Sequence, residues 1–221
     1  MSDMRIGFIG LGALGGAIAT RLQSAGHDLH IWGRDARKLT RWRDAGAVLL
    51  SSPAELAASC DCVLLCVTDT VAVEQVVLGA QGIASTARSD TVLLDHSTIH
   101  PLATRRFAMQ LHAACGMQWL DAPVSGGVTG AEQGRLVVMA GGDEAVLDRV
   151  RPLLAHYSQR VTLMGGHGAG QATKIANQMM IGGNIAVAAE ALNYAANFGV
   201  AAARVPEYAD DIGVAVLASE I

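Results

Sequence analysis

Gly10-Leu11-Gly12-Ala13-Leu14-Gly15 is the stretch of sequence that decides the fold. A short apolar run from Ile6 to Ile9 precedes it, and apolar residues at helical spacing follow it until Gly26, so the pattern predicts a strand, a glycine turn and a helix. Gly10 permits the tight turn, Gly12 lets a pyrophosphate approach the backbone, and Gly15 lets helix and strand touch. Phosphate groups would bind at the N-terminus of this helix.

A secretory signal peptide is a second interpretation of the same stretch. Arg5, the apolar run and Ala17-Ile18-Ala19 imitate its three regions. Asp3 cancels the early positive charge, however, and five glycines interrupt the apolar helix. The sequence therefore favours the dinucleotide-binding turn.

Composition narrows the class of partner. The formal net charge of −4 leaves no basic footprint for nucleic acid or an anionic membrane surface. The longest apolar stretch, 181–203, contains asparagines and a glutamate and predicts a buried helix, not a membrane span. The four cysteines lack the spacing of a zinc site, so no metal is expected. Buried free thiols fit a reducing cytoplasm.

Strand and helix patterns alternate as far as Gly165, which predicts an α/β protein with a doubly wound, mostly parallel sheet of the Rossmann type. Ser52-Pro53-Ala54-Glu55 predicts a capping box at the start of one of these helices. From Gln171 to Asn197 the pattern is only that of a long helix rich in Ala and Met. We therefore predict a dinucleotide-binding domain in residues 1–165 and, in residues 166–221, the start of an all-α domain.

The end of the second predicted strand carries the signals for choice of cofactor. Gly33 occupies the position where Asp or Glu usually binds a ribose 2′-hydroxyl. The cations Arg34 and Lys38 follow and would suit a 2′-phosphate, so the sequence favours NADP over NAD, although Asp35 argues the other way. The alternative is that both cations are merely solvated.

Asp95-His96-Ser97 suggests a hydrolase, but adjacent side chains diverge and cannot form a triad among themselves. No G-x-S-x-G elbow is present either. A short-chain dehydrogenase would need Tyr-x-x-x-Lys, and no lysine follows Tyr157 at that spacing. We therefore expect His96 to be structural or solvated, like the other histidines.

Two further segments carry candidate chemistry. In Asp121-Ala122-Pro123-Val124-Ser125-Gly126-Gly127, the hydroxyl and the two glycine N–H groups could face a substrate carboxylate, unless the glycines only make a turn. Lys174 lies in an otherwise apolar helix, with Asn177 and Gln178 on the same face. Partial desolvation would lower the pKa of its ammonium group and make it a general acid.

These motifs resemble the β-hydroxyacid dehydrogenase family, and the resemblance covers essentially Arg5 to Val205. Gly7-Phe8-Ile9-Gly10-Leu11-Gly12 is similar to its cofactor motif, the segment beginning at Asp121 to its substrate motif, and Gly168-x-Gly170-x-x-x-Lys174-x-x-Asn177 to its catalytic motif. The resemblance implies an NAD(P)-dependent oxidoreductase that transfers hydride between a nicotinamide and a short 3-oxo acid or semialdehyde.

The resemblance also assigns residues. It implies Lys174 as the acid/base, Ser125, Gly126 and Gly127 at the substrate carboxylate, and Asn177 as the residue that orients the substrate. The expected cofactor-binding residues, including the two cations after the second strand, are Gly10, Leu11, Gly12, Ala13, Leu14, Arg34, Lys38, Val67, Thr68 and Thr98.

Departures from the family pattern lead to further expectations. Gln178 replaces a second Asn, as we expect of the tartronate semialdehyde reductase branch. Family members continue with further helices, and the residues from Tyr208 onward no longer resemble them, which suggests truncation. A dinucleotide-binding remnant without turnover is therefore the alternative function, since an open pocket would admit water. If Ile181, Ile185 and Leu192 lack their usual partners, we expect a homo-oligomer.

Overall fold

The computed structural model gives the structure of residues 4–201 and 204–205. Strands and helices alternate over most of this range, with short 3-10 turns at Ala36–Leu39 and Ile83–Ser85. The elements are β1 (Ile6–Ile9), α1 (Ala13–Ser24), β2 (Leu29–Trp32), α2 (Thr40–Asp44), β3 (Val48–Leu49), α3 (Pro53–Ser59), β4 (Cys62–Leu65), α4 (Thr70–Leu78), β5 (Val92–Asp95), α5 (Pro101–Cys115), β6 (Gln118–Asp121), β7 (Val124–Ser125), α6 (Gly127–Glu132), β8 (Leu136–Gly141), α7 (Glu144–Leu154), β9 (Ser158–Gly165) and α8 (Ala169–Asn197).

One sheet joins the nine strands of the described residues in the order β3-β2-β1-β4-β5-β6-β8-β7, with β9 beside β8. Neighbouring strands are parallel except where β8 meets β6 and β7. The predicted α/β fold with a mostly parallel sheet is confirmed. The chain order reverses between β1 and β4, and ligands of such sheets bind beyond the strand ends at a point of reversal.

Two hydrophobic cores cover the two faces of the sheet. Successive strand residues point to opposite faces, so Phe8 and Leu64 belong to the core that also holds α1 side chains, whereas Ile9 and Leu65 belong to the other. The central strands β4 and β5 are buried along their whole length. This burial on both sides explains why β4 is apolar throughout and why β5 is apolar up to Asp95.

Local sequence signals work as expected at some helix ends and are modified at others. Ser52 caps α3 by accepting a hydrogen bond from the Glu55 N–H at 3.1 Å, as the capping box predicts. The Glu55 carboxylate reaches the N–H of Ser51 at 2.7 Å, one residue before the usual partner. The helix pattern after β2 is split into a 3-10 turn and α2, because the Asp35 carboxylate accepts the Arg37 N–H and starts the tighter turn.

The described residues form two compact units that divide between Lys174 and Ile175, inside α8. The domain boundary near Gly165 stays a prediction. The departure from the family pattern that begins at Tyr208 lies outside the described residues. Within them, no helix combines the length and apolar character needed to cross a membrane.

Candidate active site

The register of the central strands brings their carboxyl ends to one edge of the sheet. Ile9 pairs with Leu65, Leu65 with Asp95, and Asp95 with Asp121. The segments that follow β1, β4 and β5 therefore leave the sheet side by side, while the chain after β6 continues into β7 along β8. These segments carry most of the residues that the sequence singles out.

The glycine turn after β1 has the geometry that each glycine predicts. Gly10 has φ +97°, and a Cβ there would collide with the carbonyl oxygen of Cys66. A Cβ on Gly15 would collide with the carbonyl oxygen of Gly10, so this glycine lets α1 approach β1. A Cβ on Gly12 would have no atom within 4 Å, and no side chain caps the start of α1. The Gly15 N–H bonds to the Cys66 sulfur, which leaves the N–H groups nearer the start of the turn as the ones that could meet an anion.

A cleft of about 200 Å³ lies between this turn and the ends of β2 and β4. It brings together five of the predicted cofactor residues, Gly10, Gly12, Arg34, Val67 and Thr68. It is also lined by Trp32 and, from α4, Gln75, which sequence reasoning missed because no local motif marks a helix residue that turns toward a distant glycine. The cleft and the open first turn of α1 fit a dinucleotide.

The other predicted cofactor residues lie outside the lining of this cleft. Leu11 and Leu14 are half-buried and pack against the core on the α1 side, while Ala13 is exposed in the first turn. Lys38 is exposed in the 3-10 turn, and Thr98 is exposed after β5. Their roles in cofactor binding stay predictions.

Two neighbouring charges at the end of β2 have different surroundings: Arg34 lines the cleft, whereas Asp35 pairs with Arg37. The Asp35 carboxylate pairs with the guanidinium of Arg37 at 3.0 Å, which lowers the pKa of Asp35. The hydrogen bond from the Ala72 N–H lowers the pKa of Asp69, and the positive charge of Arg34 adds to that effect. Asp35, the residue that favours NAD in the sequence, therefore has an ion-pair partner in Arg37.

The Asp95-His96-Ser97 row diverges, and each member has a different partner. The Ser97 hydroxyl accepts the Val67 N–H at 3.0 Å and so holds the segment that lines the cleft. Asp95 Oδ1 accepts the Ser97 N–H at 3.0 Å, and burial raises the pKa of Asp95 to about 7. These bonds tie the ends of β4 and β5 together.

His96 is buried, and both of its ring nitrogens have partners. Nδ1 lies 2.6 Å from the Ala122 carbonyl oxygen, and Nε2 lies 2.9 Å from the Tyr157 hydroxyl oxygen. Burial lowers the pKa of His96 to about 4, so the ring is neutral at pH 7. His96 is thus a structural residue, as the sequence predicts, with both ring nitrogens used inside the fold.

The predicted substrate segment is more structured than a turn. Ser125 ends β7 and is half-buried, and the exposed Gly126 and Gly127 lead into α6 with φ values of +114° and +59°. Both values lie in the left-handed region, which explains the two successive glycines. Neither β7 nor α6 was predicted, since each is too short to show a period.

α8 starts at the same sheet edge, because the N–H groups of Gly168 and Gln171 bond to the carboxylate of Asp121. Lys174 follows within one turn and is half-buried. Asn177 lies three residues further along the helix, in the second compact unit. Sequence reasoning named Lys174 and Asn177, but it did not find Asp121 or Gln171 as the residues that fix the start of the helix.

Two families of known proteins match the chain. Residues 5–166 match the NAD binding domain of 6-phosphogluconate dehydrogenase, and residues 168–210 match the NAD-binding family of NADP-dependent 3-hydroxyisobutyrate dehydrogenase. The 2-hydroxy-3-oxopropionate reductase of Escherichia coli K12 is 41% identical over 204 residues, which cover 91% of this chain and 68% of that enzyme. This chain spans 70% of the length of an oxidoreductase of Shewanella frigidimarina and 59% of the length of the human mitochondrial 3-hydroxyisobutyrate dehydrogenase.

Solved structures agree with the sequence matches. A Mycobacterium tuberculosis 3-hydroxyisobutyrate dehydrogenase with L-serine aligns with a TM-score of 0.90 and 30% identity, covering 98% of this chain and 73% of that one. The structure of Psf3 in complex with NADP+ and 2-OPP aligns with a TM-score of 0.81 and 28% identity, covering 91% and 71%. The first compact unit is thus a Rossmann-type domain of the kind that binds NAD(P).

Proposed function

This chain belongs to the NAD(P)-dependent β-hydroxyacid dehydrogenase family of oxidoreductases, and on that premise we propose that it reduces a short 3-oxo acid or semialdehyde to the 3-hydroxy acid. The observation that carries the proposal is the alignment of the carboxyl ends of β1, β4, β5 and β6: the glycine turn follows β1, and Asp121 at the end of β6 bonds to the start of the Lys174 helix. Ser125 follows Asp121 by four residues. When bound, NAD(P)H supplies the hydride.

The proposed cofactor preference is NADP. Arg34 lines the cleft, Gly33 leaves the usual acidic position without a carboxylate, and Asp35 is held by Arg37. A guanidinium binds a phosphate through two parallel hydrogen bonds, whereas a ribose hydroxyl prefers a carboxylate. Gly10, Gly12 and the first turn of α1 would hold the pyrophosphate, and Val67 and Thr68 the nicotinamide half of the dinucleotide.

The proposed substrate is a small carboxylate. Ser125 and the N–H groups of Gly126 and Gly127 would bind its carboxylate, because both glycines are exposed in a turn, where successive N–H groups can face an anion. Asn177 would orient the reacting end. The chain is 41% identical to an E. coli 2-hydroxy-3-oxopropionate reductase over 204 residues. The first substrate to test is therefore 2-hydroxy-3-oxopropionate, also called tartronate semialdehyde.

Lys174 is the proposed proton donor. Lys174 is half-buried as a residue, and an ammonium group that loses water on substrate binding gives up its proton more readily, since desolvation disfavours the charged form. Donation to the substrate carbonyl oxygen during reduction would lower the cost of alkoxide charge and contribute roughly 10²–10⁴-fold to the rate.

The test is turnover of 2-hydroxy-3-oxopropionate with NADPH by the 221-residue chain, compared with Lys174→Ala and Lys174→Arg. Both variants should bind NADPH as the parent does and lose turnover. Alanine removes the amine, and arginine keeps the charge but holds its proton too tightly to donate it. Full activity in Lys174→Arg would show that charge alone suffices and would overturn the acid role. NADPH binding without turnover in the parent chain would support the alternative, a dinucleotide-binding remnant.

Two further proposals concern the state of the protein. Exposed apolar side chains on and after α8 include Ile185, Val187 and Phe198, so we propose a homo-oligomer; Ile181 and Leu192, also named from the sequence, are half-buried. A monomer in light scattering at micromolar concentration would contradict this. We also propose a cytoplasmic location, because the four cysteines are free thiols.

A further inference from the structure

The start of α8 is capped by a side chain from a different part of the chain. Asp121, at the end of β6, is fully buried, and its Oδ1 accepts the Gly168 N–H at 2.7 Å while its Oδ2 accepts the Gln171 N–H at 3.1 Å. The first N–H groups of a helix have no partner within the helix. Here a carboxylate 47 residues earlier in the sequence satisfies them.

The residue that would normally cap the helix cannot do so. Gly168 has φ +83°, and a Cβ at that position would lie 2.7 Å from the carbonyl oxygen of Pro101. Ser, Thr or Asp, the usual capping residues, are therefore excluded there. Any side-chain cap must come from elsewhere, and β6 supplies it.

Asp121 is closely enclosed as well as buried. Cβ atoms built on Gly141 and Gly170 would lie 2.6 Å and 2.9 Å from its carboxylate oxygen. Desolvation raises the pKa of Asp121, and the hydrogen bonds from Gly168 and Gln171 oppose the rise. Burying a carboxylate is costly, so a position that only ended a strand would be better filled by an apolar residue.

Gln171 makes the second attachment. Its side chain is fully buried, with Nε2 donating to the Ser97 carbonyl oxygen at 2.7 Å and Oε1 accepting the Ile99 N–H at 3.0 Å. The two bonds bracket Thr98. The first turn of α8 is thereby attached to the segment after β5 as well as to β6.

We propose that Asp121 and Gln171 are positioning residues, which fix the first turn of α8 to the sheet edge and thereby set the place of Lys174 for proton transfer. The inference rests on the proposed function of Lys174. Lys174 lies three residues after Gln171, so the two share a helix face and are about 4.5 Å apart along the axis. A shift of the turn is transmitted directly to the ammonium group.

Two variants test the proposal by separating kcat from binding. Asp121→Asn keeps the shape of the side chain but replaces one acceptor, and Gln171→Met keeps the length but removes both polar groups. Each should lower kcat roughly 10- to 100-fold, the cost of misplacing a reacting group by about 1 Å. KM for the oxo acid and Kd for NADPH should stay within about threefold, because the cleft residues Gly10, Gly12 and Arg34 are far from these bonds in sequence and are retained.

Asp143→Asn is the matched control, since Asp143 also caps a helix with its carboxylate, accepting the Val146 N–H at 3.1 Å, but does so from the N-cap position of α7 itself. It should leave kcat unchanged. An equal fall of kcat in this variant, or a loss of NADPH binding in place of kcat in the other two, would overturn the positioning role. If Asp121→Asn does not fold, Gln171→Met alone decides.

Hydrogen exchange separates failure of this inference from failure of the proposed function. The amides of residues 168–174 should exchange at least roughly tenfold faster in Asp121→Asn than in the parent, with those of α7 unchanged. Equal exchange would overturn the attachment. A parent chain without turnover, but with the expected exchange, would instead overturn the proposed function and leave the attachment of α8 standing.

Discussion

The glycine turn after β1 and the attachment of α8 after β6 lie at the same sheet edge and are built by opposite means. The turn uses backbone and the absence of side chains: Gly10, Gly12 and Gly15 leave room for a close approach. The attachment uses buried polar side chains, Asp121 and Gln171, whose partners are distant in sequence. The turn leaves backbone N–H groups that a ligand could reach, whereas in α8 a buried side chain already binds the first N–H groups of the helix.

The largest expected effect tests the first arrangement. Gly15→Ala should destabilise the chain by about 3 kcal/mol or more, because the new methyl group would meet a backbone carbonyl that cannot move aside. Gly12→Ala has open space and φ −74°, so its cost should be about 1 kcal/mol or less. Chemical denaturation measures both.

NADPH titration completes this test. Gly12→Ala should weaken NADPH binding by roughly tenfold or more, since its methyl group points into the space where a pyrophosphate would approach. If Gly12→Ala is strongly destabilised, or binds NADPH like the parent, then Gly12 does not serve ligand approach while Gly15 serves packing, and the prediction is wrong.

A second prediction concerns the buried polar side chains. Asp95 binds a proton more tightly in the folded state, where its pKa is about 7, than in the unfolded chain. Between about pH 4 and pH 7 the folded state therefore holds the extra proton, and the free energy of unfolding should fall as pH rises, by up to about 1.4 kcal/mol per pH unit. Asp95→Asn cannot titrate and should lack this fall.

The measurement is denaturant unfolding of both proteins at pH 5, 6 and 7. The difference between parent and variant isolates this carboxyl from all the others. Parallel pH dependences for the two proteins would show that Asp95 is ionised in the folded state despite its burial.

The contrast also explains how much the sequence could predict. The glycine turn is a contiguous motif between mainly apolar strands, so the fold and the roles of Gly10, Gly12 and Arg34 follow from local spacing. The family resemblance was needed to name Val67 and Thr68. Asp121 and Gln171 become neighbours only when β6 and α8 meet. Residue type could not reveal this, because an Asp at the end of a strand is normally read as a surface or substrate residue.

A smaller effect is expected at the cofactor-selecting end of β2. Arg34→Ala should weaken NADPH binding roughly tenfold, about 1.4 kcal/mol, and leave NADH binding nearly unchanged, since only NADPH carries the 2′-phosphate. Arg43→Ala is the control, because this guanidinium pairs with Asp44 and is not part of the cleft lining. Equal losses for the two dinucleotides would indicate that Arg34 binds the shared part of the molecule.

The smallest effect is expected for Lys38, the second cation that the sequence assigned to the 2′-phosphate. Lys38 is exposed in the 3-10 turn after β2 and does not line the cleft, so its attraction to a phosphate acts through solvent. Lys38→Ala should therefore weaken NADPH binding by less than about threefold at physiological salt. The same titration at low salt should enlarge the loss, because screening is then weaker. A loss as large as that of Arg34→Ala, and insensitive to salt, would mean that Lys38 contacts the phosphate directly.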